Sequence, residues 1–434
     1  MQSYGRIFRN RPFLLLWAGQ TISRLGDVLY YAAMLWLVKT LTQSNTITGL
    51  AGMAMALPQL IGPLAGVFVD RWPRRAILLV SDLLRGVMVL IVPLLAWAGV
   101  LNAWGVIGVV FMLSLVSQFF WPAKQAIVPE LVDEEGIVLA NSLDTMTVSG
   151  VNVFGFLLAG SLIIWLGPVQ LFSLDGVSFF ISALFIVLMG RLPLRQVAAG
   201  AEGAVGETGG AAVGAGSGNG KNGILQELWE GIEFLWRTPL TRLVIPAAVV
   251  INFVFGPTMV LLPSYASDVL HAGARGYGYL EGALAAGMLL GAAVVPALVR
   301  KLPQVALVSV ALVAMGVALM GIGFSAHLPA SLALMGAMGV FNAVVNVVFI
   351  SLLQAMVPRN LQGRTFASLS ALVSLANPIG LGLSGILADT FSVPAVYLAA
   401  GTVTLVTALA LVLPMLRLAR NGFGAPAPEV APSD

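Results

Sequence analysis

Charged side chains are rare inside the long apolar runs of this chain, and the few that interrupt them are its candidates for chemistry. Arg24 and Asp27 stand three residues apart, and Asp82 and Arg85 repeat that spacing, so on a helix each pair shares a face. Glu281 stands in another apolar run with no Arg at helical spacing. At the centre of a bilayer each such charge costs at least about 2.5 to 3.5 kcal/mol, so each needs a reason. One reason is neutralisation of an Arg by its neighbouring Asp for insertion. The other is proton movement, because a carboxylate whose cationic partner moves away can take up a proton and release it when the partner returns. Glu281 is the first candidate for a lone proton carrier. Asp144, Asp175 and Asp389 fall near the ends of apolar runs, where helix capping is expected. His271 and His327 fall in loops, which argues against a histidine relay. The chain has no Cys, so it has no disulfide, thiolate metal site or thiol redox motif, and no cofactor or metal is expected.

The elements that must hold these groups follow from composition. The chain of 434 residues is 59% hydrophobic and 9% charged, against about 25% charged in soluble domains. Its mean hydropathy is +0.95. An all-α protein crossing the bilayer many times is expected. Apolar spans of about 20 residues fall near 12–37, 46–68, 76–98, 103–121, 138–165, 168–190, 242–265, 276–298, 304–324, 330–356, 366–388 and 394–416, twelve in all. The first follows Arg6, Arg9 and Arg11 as a signal peptide would, but it is too long and carries Gln20, Arg24 and Asp27, so it is read as retained.

With the N-terminus inside, all but four of the 22 Lys and Arg sort to inner segments, Lys124 counted among them. Lys39 and Arg275 fall in outer loops, and Arg24 and Arg85 within spans. Both termini are therefore expected in the cytoplasm, with a bacterial inner membrane as the location. The net charge of +3 reflects orientation and not nucleic-acid binding.

The spans divide into an N-terminal half over 1–190 and a C-terminal half over 239–418, with a tail over 419–434. Between the halves, 191–223 ends in a Gly/Ala-rich stretch without apolar periodicity and reads as a cytoplasmic linker. Over 224–238, Leu225, Leu228, Ile232 and Leu235 recur at helical spacing beside Trp229 and Trp236, with Glu227, Glu230 and Glu233 interleaved. This is the pattern of an amphipathic helix on the inner leaflet, or alternatively of a docking segment. The halves are repeats. Gln125-Ala126-Ile127-Val128-Pro129 recurs as Gln354-Ala355-Met356-Val357-Pro358, and the same offset relates Gly49 to Gly278, Gly62 to Gly291 and Arg71 to Arg300. A slightly shorter offset relates Gly155 and Gly160 to Gly380 and Gly385. Parallel six-helix halves imply a substrate site between them near the membrane midplane.

One short turn carries a family signal. Gly66, Asp70, Arg71, Arg74 and Arg75, between the second and third spans, match the G-x-L-A-D-R-x-G-R-K/R pattern of the major facilitator superfamily, with Phe68, Val69 and Pro73 as departures. The resemblance implies the twelve-helix facilitator fold and a cytoplasmic latch in which the Asp is engaged in only one transport state. A plain positive-inside anchor is the other reading of the Arg residues. Within the superfamily, Ala18-Gly19-Gln20 with Ser23, Trp121-Pro122-Ala123, Leu174 to Phe179, Gly363-Arg364-Thr365-Phe366, Ser374 to Leu381, Leu383-Ser384-Gly385 and Ala388-Asp389 resemble the branch of macrolide-efflux proteins and the enterobactin exporter. Leu113 stands where many antiporters of the superfamily carry an Arg in the fourth helix, and the fifth-helix element Gly155 to Gly160 lacks its Pro.

The resemblance implies a secondary transporter exporting a sizeable amphipathic molecule, drug-like or siderophore-like, by proton antiport and working as a monomer. An importer or facilitator, or a membrane receptor or enzyme on the same scaffold, is the alternative. In this superfamily helices 1, 4, 7 and 10 line the cavity. That points to Gln20, Ser23 and Tyr30, to Ser114 and Gln118, to Asn252 and Phe253, and to Asn342 and Asn346, although interhelical hydrogen bonding explains such residues equally. Gly220-Lys221 fails as a phosphate loop, because Ala215 and Asn222 stand where Gly and Ser or Thr are required. No enzyme is expected.

Overall fold

The computed structural model describes residues 8–69, 71–190, 239–357 and 362–420. The expected linker, the amphipathic segment and Asp70 lie outside them, as does the tail beyond residue 420. In the N-terminal half the helices are α1 (Arg11–Thr42), α2 (Asn45–Ala56), α3 (Gly62–Val69), α4 (Arg74–Trp97), α5 (Ala103–Leu131), α6 (Glu134–Leu166) and α7 (Pro168–Leu188). A 3-10 turn, Leu57–Ile61, joins α2 to α3, so these two form one interrupted span. Pro58 in that turn removes a backbone donor. The C-terminal half holds α8 (Pro239–Val260), α9 (Gly273–Val299), α10 (Gln304–Phe324), α11 (Leu328–Met356), α12 (Gln362–Thr390) and α13 (Val393–Arg420). A bend and a π-helical turn, Tyr265–Val269, follow α8.

Among the described residues, nine helices are long and apolar enough to cross a membrane, and the bent pair after Ala248 makes a tenth. The first helix, carrying Arg24, Asp27 and Lys39, and the broken α2–α3 span complete six helical segments on each side of the linker. Large aromatic side chains ring the outside near helix ends. Trp97 is 89% exposed, Trp165 74% and Phe324 75% at one face, and Trp72 is 68% exposed at the other. Exposed aromatic side chains at helix ends are what the interfaces of a bilayer favour.

The halves meet through two helix pairs, α2 with α12 and α6 with α9. Both contacts are made by glycines that the sequence repeat had paired. A Cβ on Gly49 would stand 2.8 Å from the Leu381 carbonyl and 3.1 Å from the Gly385 Cα. One on Gly278 would stand 2.8 Å from the Gly160 Cα. Small residues let these backbones approach closely where no hydrophobic effect drives helices together in lipid. Gly49 corresponds to Gly278 and Gly160 to Gly385, so the two contacts are related by the pseudo-symmetry of the halves. They lie toward the face on which α1, α6 and α12 end and α2, α9 and α13 begin, hereafter the outer face.

Candidate functional site

The intramembrane charges of the N-terminal half form two clusters. In the first, Asp82 pairs with Arg85 on α4, as the spacing suggests, and the pair is buried. The guanidinium is sandwiched by rings, 3.9 Å from the Phe120 centroid and 4.5 Å from that of Phe179. Ser182 donates to Asp82 at 2.6 Å, and Gln20 donates to Ser182 at 2.9 Å. Gln20 is thus consumed in an interhelical chain linking α1, α7 and α4.

The second cluster departs from the spacing argument. Arg24 makes its ion pair not with Asp27 but with Asp144 on α6, at 3.4 Å. Lys124 shares that carboxylate at 2.9 Å. Lys124, counted with an inner loop, lies inside α5 and is buried. Asp144 is ten residues into α6 and caps nothing there; it neutralises two cations within the membrane. Trp121 lies under both, 4.6 Å from the Arg24 Cζ and 5.5 Å from the Lys124 Nζ. Asp27 lies within electrostatic reach of Arg24 and Arg85 and, with Arg24, Trp121 and Asn152, lines a cavity of about 140 Å³. Asp175 also lies inside a helix, α7, where it is fully buried; Ser178 donates to its Oδ1 at 3.3 Å while Oδ2 has no hydrogen-bond partner.

Glu281 sits in α9, about 12 Å from the start of that helix at Gly273. It is 2% exposed, and its Oε1 has no hydrogen-bond partner. The carboxyl is within electrostatic reach of Tyr31 and Tyr277. Trp36 stacks on Tyr277 at 6.1 Å, and Tyr31 meets Phe156 edge-on at 6.0 Å. The carboxyl therefore lies among aromatic side chains of α1, α6 and α9, where the two halves join.

The remaining candidates scatter. Ser23 is buried, and Tyr30 is buried with its ring 5.3 Å from Phe172, so neither opens to a cavity. Ser114, Gln118, Phe253 and Asn342 are half-buried, while Asn252 and Asn346 are exposed. Gln118 donates to the Ser114 carbonyl at 3.1 Å, Asn252 to Ala248 at 2.9 Å and Asn346 to the Asn342 side chain at 3.1 Å. Each of these three amides is tied to its own helix one turn back. In the charged turn, Arg74 pairs with Glu130 and donates to the Ala126 carbonyl at 3.0 Å. Arg75 donates to the carbonyls of Ile186 and Val187 at 3.1 and 3.0 Å, at the C-terminus of α7, where the helix dipole favours a cation. These arginines brace their own half. Arg71 is exposed, and a Cβ on Gly66 would meet nothing within 4 Å.

The sequence reading put Lys124 in an inner segment and Asp144 and Asp175 at helix ends, whereas all three lie inside helices. A signal existed for two of them. Lys124 lies seven residues before the end of α5 and Asp144 ten after the start of α6, and the turn between is so short that a hairpin brings those depths together.

Among the described residues, twelve helical segments in two pseudo-symmetric halves, with ion pairs buried in one half and a lone carboxyl at the junction, define a polytopic helical membrane protein. The chain belongs to the transmembrane secretion effector family of the major facilitator superfamily, whose model matches residues 5–216 and 217–423. It is similar to the multidrug efflux pump Tap of Mycolicibacterium fortuitum, 29% identical over 94% of this chain and 96% of that one. It is also similar to macrolide efflux protein A of Streptococcus pyogenes, 24% identical over 94% of this chain and 96% of that one. In fold it matches the nucleoside transporter NupG, with a TM-score of 0.73 at 11% identity over 94% of this chain and 99% of that one.

Proposed function

We propose that this protein exports an amphipathic, drug-like small molecule from the cytoplasm or inner leaflet, driven by inward proton flow through alternating access. Multidrug and macrolide pumps among its relatives support the cargo and the direction. The distribution of Lys and Arg supports cytoplasmic termini in a bacterial inner membrane, and the glycine contacts then seal the outer face, as in an inward-open state. A siderophore-like cargo rests on the sequence resemblance alone. Nothing in the contacts between the halves calls for a second copy, and we take the monomer as the working unit.

The observation that carries the coupling is Glu281, a buried carboxyl with an unpartnered oxygen at the junction of the halves. In the closed outer face it is cut off from water. Rocking would separate α6 from α9 and hydrate it from outside, where a proton is taken up; return to the inward-open state delivers that proton to the cytoplasm. One proton crossing 100 mV supplies about 2.3 kcal/mol, enough for roughly a fifty-fold gradient of a neutral cargo. Asp27 and Asp82 with Arg24 and Arg85 are the second choice, since Asp82 is already paired with Arg85 and Asp27 lies within electrostatic reach of both arginines.

In everted membrane vesicles, an imposed pH gradient should drive accumulation of a macrolide, and a protonophore should abolish it. Glu281→Gln should bind the macrolide normally yet lose the response to pH by at least tenfold. Accumulation indifferent to the protonophore would remove proton antiport, and a Gln variant with full pH response would move the coupling to the Asp27 and Asp82 clusters.

A further inference from the structure

Of the three carboxylates that the sequence places near the ends of apolar runs and assigns to helix capping, Asp389 is the one that caps a helix. The helix it caps lies in the other half. Asp389, one residue before the end of α12, accepts from the Asn45 backbone N–H at 2.9 Å and the Thr46 N–H at 2.8 Å. Its Oδ2 also accepts from the Ser44 hydroxyl at 2.8 Å. These are the free donors of the first turn of α2, whose own N-cap is Ser44. Partners 343 to 345 residues apart in sequence are thereby joined by charge-assisted hydrogen bonds across the two halves.

Everything near this contact reinforces one closed arrangement. Gly385, one turn before Asp389, lets α12 approach α2 so closely that a Cβ there would stand 2.9 Å from the Asn45 carbonyl carbon and 3.0 Å from the Thr46 Cα. Asn45 in turn accepts from the buried Ser264 hydroxyl of the C-terminal half. Lys39 holds Asp268 at 2.8 Å and reaches Asn45 at 3.3 Å. The bonds from Asp389 to Ser44, Asn45 and Thr46 cannot survive if α2 and α12 separate at the outer face, as opening there requires. The glycine contact related to it by pseudo-symmetry has no such device. Ile164 stands where Asp389 stands, and the N-cap of α9, Ala272, makes no side-chain capping bond.

We infer that Asp389 is an outer latch: its carboxylate, seated on the N-terminus of α2, holds the outer face shut and must leave that seat each time the carrier opens outward. Asp389 is a positioning residue, acting on the balance between the two states and touching no cargo. The latch that the family resemblance implies at Asp70 would stand at the opposite end of the same span, since residue 70 follows α3, the continuation of α2, in sequence. The inference rests on the alternating-access reading but not on proton coupling or on the nature of the cargo.

The absence of Cys from the chain makes the test direct, since an introduced thiol is the sole target of a thiol reagent. Two reporters are needed. Met53→Cys lies in the α2–α12 contact, and Asn346→Cys lies on an exposed face of α11 assigned to the inner cavity. With a membrane-impermeant maleimide in right-side-out and everted vesicles, Asp389→Asn should raise outer labelling of Met53→Cys about three- to tenfold. The same change should lower inner labelling of Asn346→Cys, and Asp389→Glu should restore both toward the parent. General loosening of the fold would raise both together and would overturn the latch, as would unchanged labelling at Met53→Cys. Reagent reaching each site from the opposite side would instead overturn the assigned orientation, while a pH-independent carrier that still shows the reciprocal shift would separate this inference from the coupling proposal.

Discussion

Two helix pairs make the main contacts between the halves at the outer face, and they differ in kind. The α6–α9 contact is steric: Gly160 and Gly278 pack backbone on backbone, and although Arg275 stands at its outer end, no side chain caps the start of α9 there. The α2–α12 contact repeats that packing through Gly49 and Gly385 and adds a carboxylate on a helix N-terminus. Backbone packing between glycines can slide or part gradually, losing dispersion contacts a few at a time. A charge seated on two N–H groups and a hydroxyl is either seated or not, so it can turn a soft closure into a two-state one. The difference suggests that α6–α9 serves as the bearing on which the halves rock and α2–α12 as the bolt.

Overpacking should strike both contacts and have the largest effect. Gly278→Val and Gly385→Val each push a branched side chain into backbone no more than 3.0 Å away, where no flexible side chain can yield. Such insertions cost about 1 to 3 kcal/mol or more. Macrolide export by either variant should fall at least tenfold at normal membrane abundance, read from accumulation in cells. A variant that exports normally would mean that its contact is not made during the cycle.

A smaller effect would sharpen the comparison by moving the bolt. Ile164→Asp places a carboxylate at the position equivalent to Asp389, near the uncapped start of α9. It should add a second seat and lower outer labelling of Met53→Cys about two- to threefold, partly offsetting Asp389→Asn in the double variant. No change in labelling would show that the pseudo-symmetry of the glycines does not extend to the capping geometry.

The sequence carried the bearing in full view but not the bolt. Periodic apolar runs fixed the spans, and the repeat offset paired Gly49 with Gly278 and Gly160 with Gly385, the glycines that later meet across the halves. Spacing along one helix also foresaw the Asp82 and Arg85 pair. It failed for Arg24, because two residues on one helix face need not touch when a carboxylate on a neighbouring helix offers a better seat, as Asp144 does. Gln20 and Tyr30 share that failure, since whether a polar group faces a cavity or a neighbouring helix is decided by packing and not by the segment that carries it. Asp389 was visible as a capping residue, but its partner lay 345 residues away, beyond any local rule.

The central claim is that the halves rock, so that closure at one face opens the other. Distance measurement between paired spin labels tests it most directly in this cysteine-free chain. One pair would span the outer face at Leu41 and Phe391, and the other the inner face at Trp72 and Leu302, all exposed positions on opposite halves. Lowering the pH in lipid nanodiscs should lengthen the outer distance and shorten the inner one together, and Asp389→Asn should shift the same two populations without acid. Outer and inner distances that change in the same sense, or an outer pair that stays fixed while macrolide is transported, would contradict the account.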